Sequence, residues 1–335
     1  MNANWLTQPK ERRVEILNQA TEITGLPATA IEKDWWVTVC LKAAFSLPYS
    51  EHLAFKGGTS LSKGWDLIAR FSEDIDLAID RTFFGFEGSP SKTQIRKLRK
   101  QSCEFISTEF LKDLTQILTD WGATAECKLF AQPVNSSDKD PQSIEIHYDS
   151  VVETSDYLPQ RVLIEISSRS LMEPTEKRKI NSILGVNFQT LDFFGAAFTV
   201  PTVLPQKTFL EKIFLLHEEF SQEPAKIRVN RLSRHLYDLE KLMDTQHGAT
   251  ALQNKELYSN IVAHRERFNP LRGIDYSNHS PDKIKIIPAA AVIKEYESDY
   301  AEMTKFMIYG DALPFDRLVQ RMSELQRRIN EISQS

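Results

Sequence analysis

The sequence predicts an α+β protein: a mixed sheet with flanking helices over residues 1–200, then an all-α domain over 201–335. Three observations predict it. Short segments with alternating apolar residues cluster between 52 and 167, and that period belongs to strands. Residues 9–47 and 92–120 carry apolar residues at helical spacing. Beyond about residue 200 only helical patterns recur.

The elements follow in order. Residues 9–47 read as two helices, with Gly25 as a stop and Pro27 just inside the second. The adjacent Trp35 and Trp36 read as packing residues. A short strand, His52 to Lys56, runs into Gly57 and Gly58, and a helix follows to about Ile68. Phe71 to Asp80 alternates as a strand, and Lys92 to Asp120 reads as one long amphipathic helix. Thr124–Phe130, Ser143–Tyr148 and Arg161–Ser167 read as further strands. Helices are expected over Pro205–Phe220, Arg231–Asp244, Asn254–Arg267, Asp282–Tyr309 and Pro314–Ser333, with the domain boundary between Val200 and Pro205.

Composition narrows the function classes. The 335 residues are 41% hydrophobic and 26% charged, with a net charge of −5, the make-up of an ordinary globular protein. The chain is not basic enough to hold nucleic acid by charge alone, although basic clusters occur at Lys92–Lys100, Lys226–Arg234 and Arg317–Arg328. Cys40, Cys103 and Cys127 form no CxxC pair, which argues against a closed zinc site and fits a reducing cytoplasm. The N-terminus lacks an apolar signal-peptide core, and no run of about 18 apolar residues exists to span a membrane. A cytoplasmic location is expected.

One strand-turn-helix-strand unit carries chemistry. Asp74 and Asp76 are two apart on a predicted strand, so both carboxylates share a face while Ile75 and Leu77 point into the core. Paired carboxylates repel unless a cation lies between them. Mg2+ takes oxygen ligands, commonly one or two carboxylates plus substrate phosphates, and Mn2+ is the alternative. Gly57 and Gly58 allow close backbone approach and open a helix, while Thr59 and Ser60 add hydroxyls, a combination suited to nucleotide phosphates. Alone, a glycine pair is a turn and a D-x-D is a solvated strand. In this order, joined by one short helix, they equip a site for metal-assisted attack at phosphorus. The phosphate loop of common NTPases, G-x-x-x-x-G-K-[ST], is absent. Glu165, an isolated acid in the apolar strand Val162–Ile166, is the preferred third carboxylate, and Glu145 is its rival.

Lys56–Lys63 (KGGTSLSK) followed by Arg70–Leu77 (RFSEDIDL) resembles the signature of the AbiEii/AbiGii family of nucleotidyltransferase toxins. The resemblance continues through Ile31–Val37 (IEKDWWV), Glu211–Ile213, Arg234–Leu239 (RHLYDL), Met307–Gly310 and Pro314–Asp316. It implies a DNA polymerase β-like fold, NTP as substrate, and a toxin neutralised by an antitoxin encoded nearby. It makes Asp74 and Asp76 metal ligands, Lys212 a phosphate contact, and Asp238 the acid of the last catalytic motif. Ser72 matches a serine beside the metal site that can be phosphorylated in related toxins.

Charge adds Lys56 and Arg70 as phosphate-binding candidates, and Lys207 competes with Lys212 for one role. Lys212 would reach the triphosphate across a cleft between the two halves, with Asp238 orienting it or accepting a proton. His217, His235 and His247 are expected on helix surfaces or at caps, without catalytic roles. In related toxins the acceptor can be a tRNA 3′ end. A protein hydroxyl, a small molecule, or nucleotide sensing without turnover are the alternatives. The sequence shows no aromatic-basic platform that separates RNA from protein.

Overall fold

The computed structural model describes residues 4–72, 74–153 and 159–334. Glu73 of the RFSEDIDL motif lies outside them. The chain divides into two compact units: Met1–Gly64 with Phe71–Val203, and Trp65–Arg70 with Leu204–Ser335.

The first unit opens with helices α1 (Lys10–Thr24) and α2 (Ala28–Ala44). Gly25 ends α1 at φ 73°, the left-handed geometry that glycine adopts without strain. Pro27 stands just outside α2 as its N-cap, not inside it. Strand β1 (Leu53–Lys56), helix α3 (Gly57–Lys63) and strand β2 (Asp74–Ile79) follow. Helix α3 stops at Lys63, five residues before the expected end, and Trp65–Arg70 joins the second unit. The long helix of 92–120 is present as α4 (Lys92–Phe105) and α5 (Leu111–Asp120), joined by a π-helical turn at Ile106–Phe110. Strands β3 (Cys127–Ala131), β4 (Gln142–Tyr148) and β5 (Arg161–Ser167) come next. Then follow β6 (Thr175–Ile180), α6 (Ile183–Asn187) and β7 (Phe198–Val203).

Among the described residues the seven strands form one mixed sheet, ordered β3-β4-β5-β2-β1-β7-β6. Strand β2 pairs antiparallel with β1 and parallel with β5. One face is apolar: Ile75, Leu77, Ile144, Ile146, Val162, Ile164 and Ile166 lie buried in one core with α2. Trp36 stacks on Tyr148 there, and Trp35 meets Trp36 edge-on at 5.1 Å. The tryptophans are core residues, as their pattern implies.

The second unit contains α7 (Pro205–Phe220), α8 (Ser233–Met243), α9 (Gln246–Gln253), α10 (Lys255–Phe268), α11 (Ile293–Phe306) and α12 (Phe315–Asn330). The stretch expected as one helix from Asp282 begins its α-helix only at Ile293. Among the described residues no helix is long and apolar enough to cross a membrane.

Candidate functional site

The sheet register assembles the first group of candidate residues. Asp76 is the Cα partner of Lys56 on β1 and of Glu165 on β5. Paired residues of neighbouring strands project to one face, so Lys56, Asp76 and Glu165 form a row across three strands. Asp74, two residues from Asp76, shares that face. Asp74, Asp76 and Glu165 are half-buried, whereas Ile75, Leu77 and Ile164 are fully buried on the opposite face. Apolar packing behind the sheet therefore fixes where the acids point.

Glu145 lies on the same face but one strand further out, partnering Leu163. Gln132 donates to its carboxylate at 2.7 Å, His147 lies 2.5 Å from it, and Arg161 pairs with it. Burial raises its proton affinity, but these neighbours hold its carboxyl below the usual range. Glu165 is thus the acid beside Asp76, while Glu145 belongs to an ion cluster of its own.

The glycine turn packs directly on this row. Gly57 has φ +77°, and a Cβ there would lie 2.0 Å from the Asp76 carboxylate. No side chain fits, so the bare backbone of the β1–α3 turn approaches the acid. Thr59 and Ser60 are fully buried and serve that turn. The Thr59 hydroxyl bonds the Asp74 carbonyl and shares a hydrogen bond with Ser72 at 2.8 Å. Ser60 donates to the Gly57 carbonyl at 2.9 Å. The Thr59 hydroxyl ties the glycine turn to β2 and the Ser60 hydroxyl closes the turn on itself, roles that the sequence pattern does not assign them. Gly58 follows Gly57 in the first turn of α3.

The far end of α3 is pinned as well. Lys63 meets Asp34 of α2 at 2.5 Å, both nearly buried, and Asp34 also accepts from the Ile183 backbone N–H at 2.7 Å. Glu32 accepts from the Val151 N–H, and Lys33 donates to the Pro159 carbonyl. The charged half of the IEKDWW motif thus fastens α2 to its surroundings. Three consecutive charges inside an otherwise apolar helix were the available sequence signal for such buried pairing.

A second group lies within the second unit. Asp238 of α8 is fully buried and receives two parallel hydrogen bonds from Arg70, at 2.7 and 2.8 Å. Lys212 of α7 meets the same carboxylate at 2.8 Å. Burial alone raises the proton affinity of Asp238, but the two cations overcome it and leave the carboxyl well below its ordinary range. Burial also lowers the Lys212 pKa, against the pull of Asp238. His235, buried beside them, is pushed well below its ordinary value by burial and by the Lys212 charge. Its Nδ1 lies 3.3 Å from the Lys212 amine.

Because α7 begins at Pro205, both lysines lie on one helix, and five residues rotate their side chains about 140° apart. Lys207, fully buried, lies 3.8 Å from Glu211, and Lys212 reaches Asp238. Contrary to the surface expectation, His217 and His235 are both buried. His247 is half-buried with its ring against Trp65.

The donor set of the first group suits a divalent cation: hard carboxylate oxygens share one face and the bare backbone sits beside them. Among the described residues no group of three or more His, Cys, Asp or Glu side chains is assembled around a metal position. One or two carboxylates with substrate phosphates commonly make up a Mg2+ shell.

No curated protein sequence matches the chain. Among solved structures, MenT4, a nucleotidyltransferase toxin from Mycobacterium tuberculosis H37Rv, is similar at 16% identity and a TM-score of 0.41. That match covers 95% of this chain and 97% of that one, and it is too distant to carry an argument. The family model for the nucleotidyl transferase AbiEii toxin of type IV toxin–antitoxin systems matches residues 40–321, spanning β1, α3, β2 and both groups of candidate residues. The chain therefore belongs to the AbiEii family of nucleotidyltransferase toxins.

Proposed function

We propose that this toxin transfers a nucleoside monophosphate from an NTP to the 3′ end of a transfer RNA, using Mg2+ or Mn2+ held by Asp74 and Asp76 with help from Glu165. The observation that carries the reading is the row Lys56–Asp76–Glu165 with the Gly57 backbone packed on Asp76. A divalent ion there supplies charge neutralisation at the transferring phosphoryl group. The residues of the chain position the reactants. Backbone amides of Gly57 and Gly58 face the phosphates, Lys56 adds a cation, and Ser72 with Thr59 holds the turn against β2. The acceptor hydroxyl oxygen bonds to the α-phosphorus, the bond to the β-phosphate bridging oxygen breaks, pyrophosphate leaves, and the hydroxyl proton passes to solvent.

Lys212 and Asp238 enter the proposal through the family resemblance, Lys212 as a phosphate contact held by Asp238, and Arg70 enters it by its charge. A charge-assisted contact contributes about 1.5–3 kcal/mol, so Lys212→Ala is expected to slow single-turnover transfer tenfold or more in a folded variant. Lys207→Ala, compared at equal folded fraction, changes it little. The reverse result removes Lys212 from the site. NTP supply and the three free, buried cysteines favour action in the cytoplasm. The proposal includes a cognate antitoxin that restores growth.

The test is incubation of the protein with each α-labelled NTP and total RNA, then total protein. Label in the tRNA fraction is expected. Label confined to protein or to small molecules overturns the acceptor assignment and leaves nucleotidyl transfer standing.

A further inference from the structure

The face of the sheet that bears the acids continues outward into a patch that the reaction itself does not use. Asp74 partners Leu163, Leu163 partners Glu145, and Glu145 partners Phe130. These four therefore stand in one row on one face, and three strand spacings separate Asp74 from Phe130, about 14 Å. The next row holds Arg161, His147 and Lys128. Phe130 is 52% exposed. His147 meets its ring edge-on at 5.8 Å, and Lys128 is exposed beside them. Glu145, the acid within these rows, is met by Gln132, His147 and Arg161; the cleft that Lys128, His147 and Arg161 line also holds Asp149 and Glu126, the latter paired with Arg13.

We propose that this outer face of β3, β4 and β5 docks the single-stranded 3′ segment of the RNA acceptor, with a base stacked on Phe130 and phosphates near Lys128 and Arg161. The inference rests on the RNA reading of the acceptor. Three observations carry it. An exposed aromatic ring on an open sheet face gives a base a stacking surface. The cations beside it match a phosphodiester backbone, and the neighbouring carboxylate is already neutralised. The patch shares its face with Asp74 and Asp76, so a strand lying along the row leads its end toward the acids.

The test uses the full-length protein and a short fluorescein-labelled single-stranded ribo-oligonucleotide. Phe130→Ala is expected to weaken binding about tenfold or more, since stacking on one ring contributes on that order. Phe130→Tyr retains it. Lys128→Gln is expected to reduce the slope of log affinity against log salt by about 0.7, the loss of one single-strand phosphate contact. NTP affinity by calorimetry stays unchanged in all three. Because Phe130 and Lys128 are exposed, melting temperatures should match the wild type. If the wild-type protein labels tRNA while Phe130→Ala and Lys128→Gln bind and label RNA normally, the docking surface is overturned and the RNA reading stands. If the wild-type protein labels only protein, both fall.

Discussion

At the scale of single residues, Gly57 is the position where backbone and chemistry meet. Its left-handed φ disfavours any side chain, and its missing Cβ leaves room for the Asp76 carboxylate. Gly25 shares the left-handed φ, but a Cβ there would meet nothing within 4 Å. The two glycines separate strain from function. Gly25→Ala and Gly57→Ala should each lose about 1 kcal/mol of stability from the backbone term. Only Gly57→Ala should also lower transfer, by about a hundredfold or more, because Asp76 must move and about 2.7 kcal/mol of barrier corresponds to that factor. Single-turnover transfer with thermal melts decides it, and equal activity of the two variants would detach Gly57 from the site. The aspartate pair and the glycines were legible because spacing alone places them on one face and in one turn. The buried roles of Thr59 and Ser60 were not, since a hydroxyl near a turn looks the same whether it faces a ligand or the turn's own carbonyls. The pairing of Arg70 with Asp238 was not legible, because the two lie 168 residues apart.

At the scale of elements, the buried cluster of Trp65–Arg70, α7 and α8 makes predictions about stability. Removing one partner of a buried ion pair strands the other charge and costs about 3–5 kcal/mol. Asp238→Ala strands two cations and is expected to reach at least that range, read from the denaturant midpoint of the transition that reports the second unit. A loss under about 1 kcal/mol would mean that water already solvates the cluster. The same unit should be acid-sensitive. Burial and the nearby His279 lower the His217 pKa to about 4, and its Nδ1 accepts from the Lys285 N–H at 3.1 Å. The unfolded imidazole takes its proton near about 6.5. Between those values the unfolded state binds more protons, so stability falls as pH drops from about 6.5 toward about 4. His217→Gln should flatten melting temperature against pH in that window, and an unchanged slope would assign the sensitivity elsewhere.

The elements missed by the sequence reading have physical explanations too. Strand β6 is a charged strand at the sheet edge with little apolar alternation to detect. Strand β7 contains Pro201, which reads as a stop; its pairing with β1 is limited to Phe55 and Thr202.

At the scale of the whole molecule, the chain passes from one compact unit to the other between Val203 and Leu204. Trp65–Arg70 is the exception. It belongs to the second unit although its sequence neighbours belong to the first, and no local pattern marks such an exchange. The aromatic-basic patch was equally invisible, since Lys128 and Phe130, His147, and Arg161 lie on three separate strands and meet only through the register. As a toxin, the chain should arrest bacterial growth when expressed alone, and Asp76→Ala at equal protein level should not. Equal arrest by both would indicate an effect independent of catalysis. The central claim, that the acids of β2 organise metal-dependent nucleotidyl transfer, is tested most directly by single-turnover transfer with Asp74→Asn. That change keeps shape and hydrogen bonding but removes the charge that a divalent ion needs. The account predicts a fall of several orders of magnitude with the fold retained. A folded Asp74→Asn protein that transfers at the wild-type rate, with the same metal dependence, would contradict it.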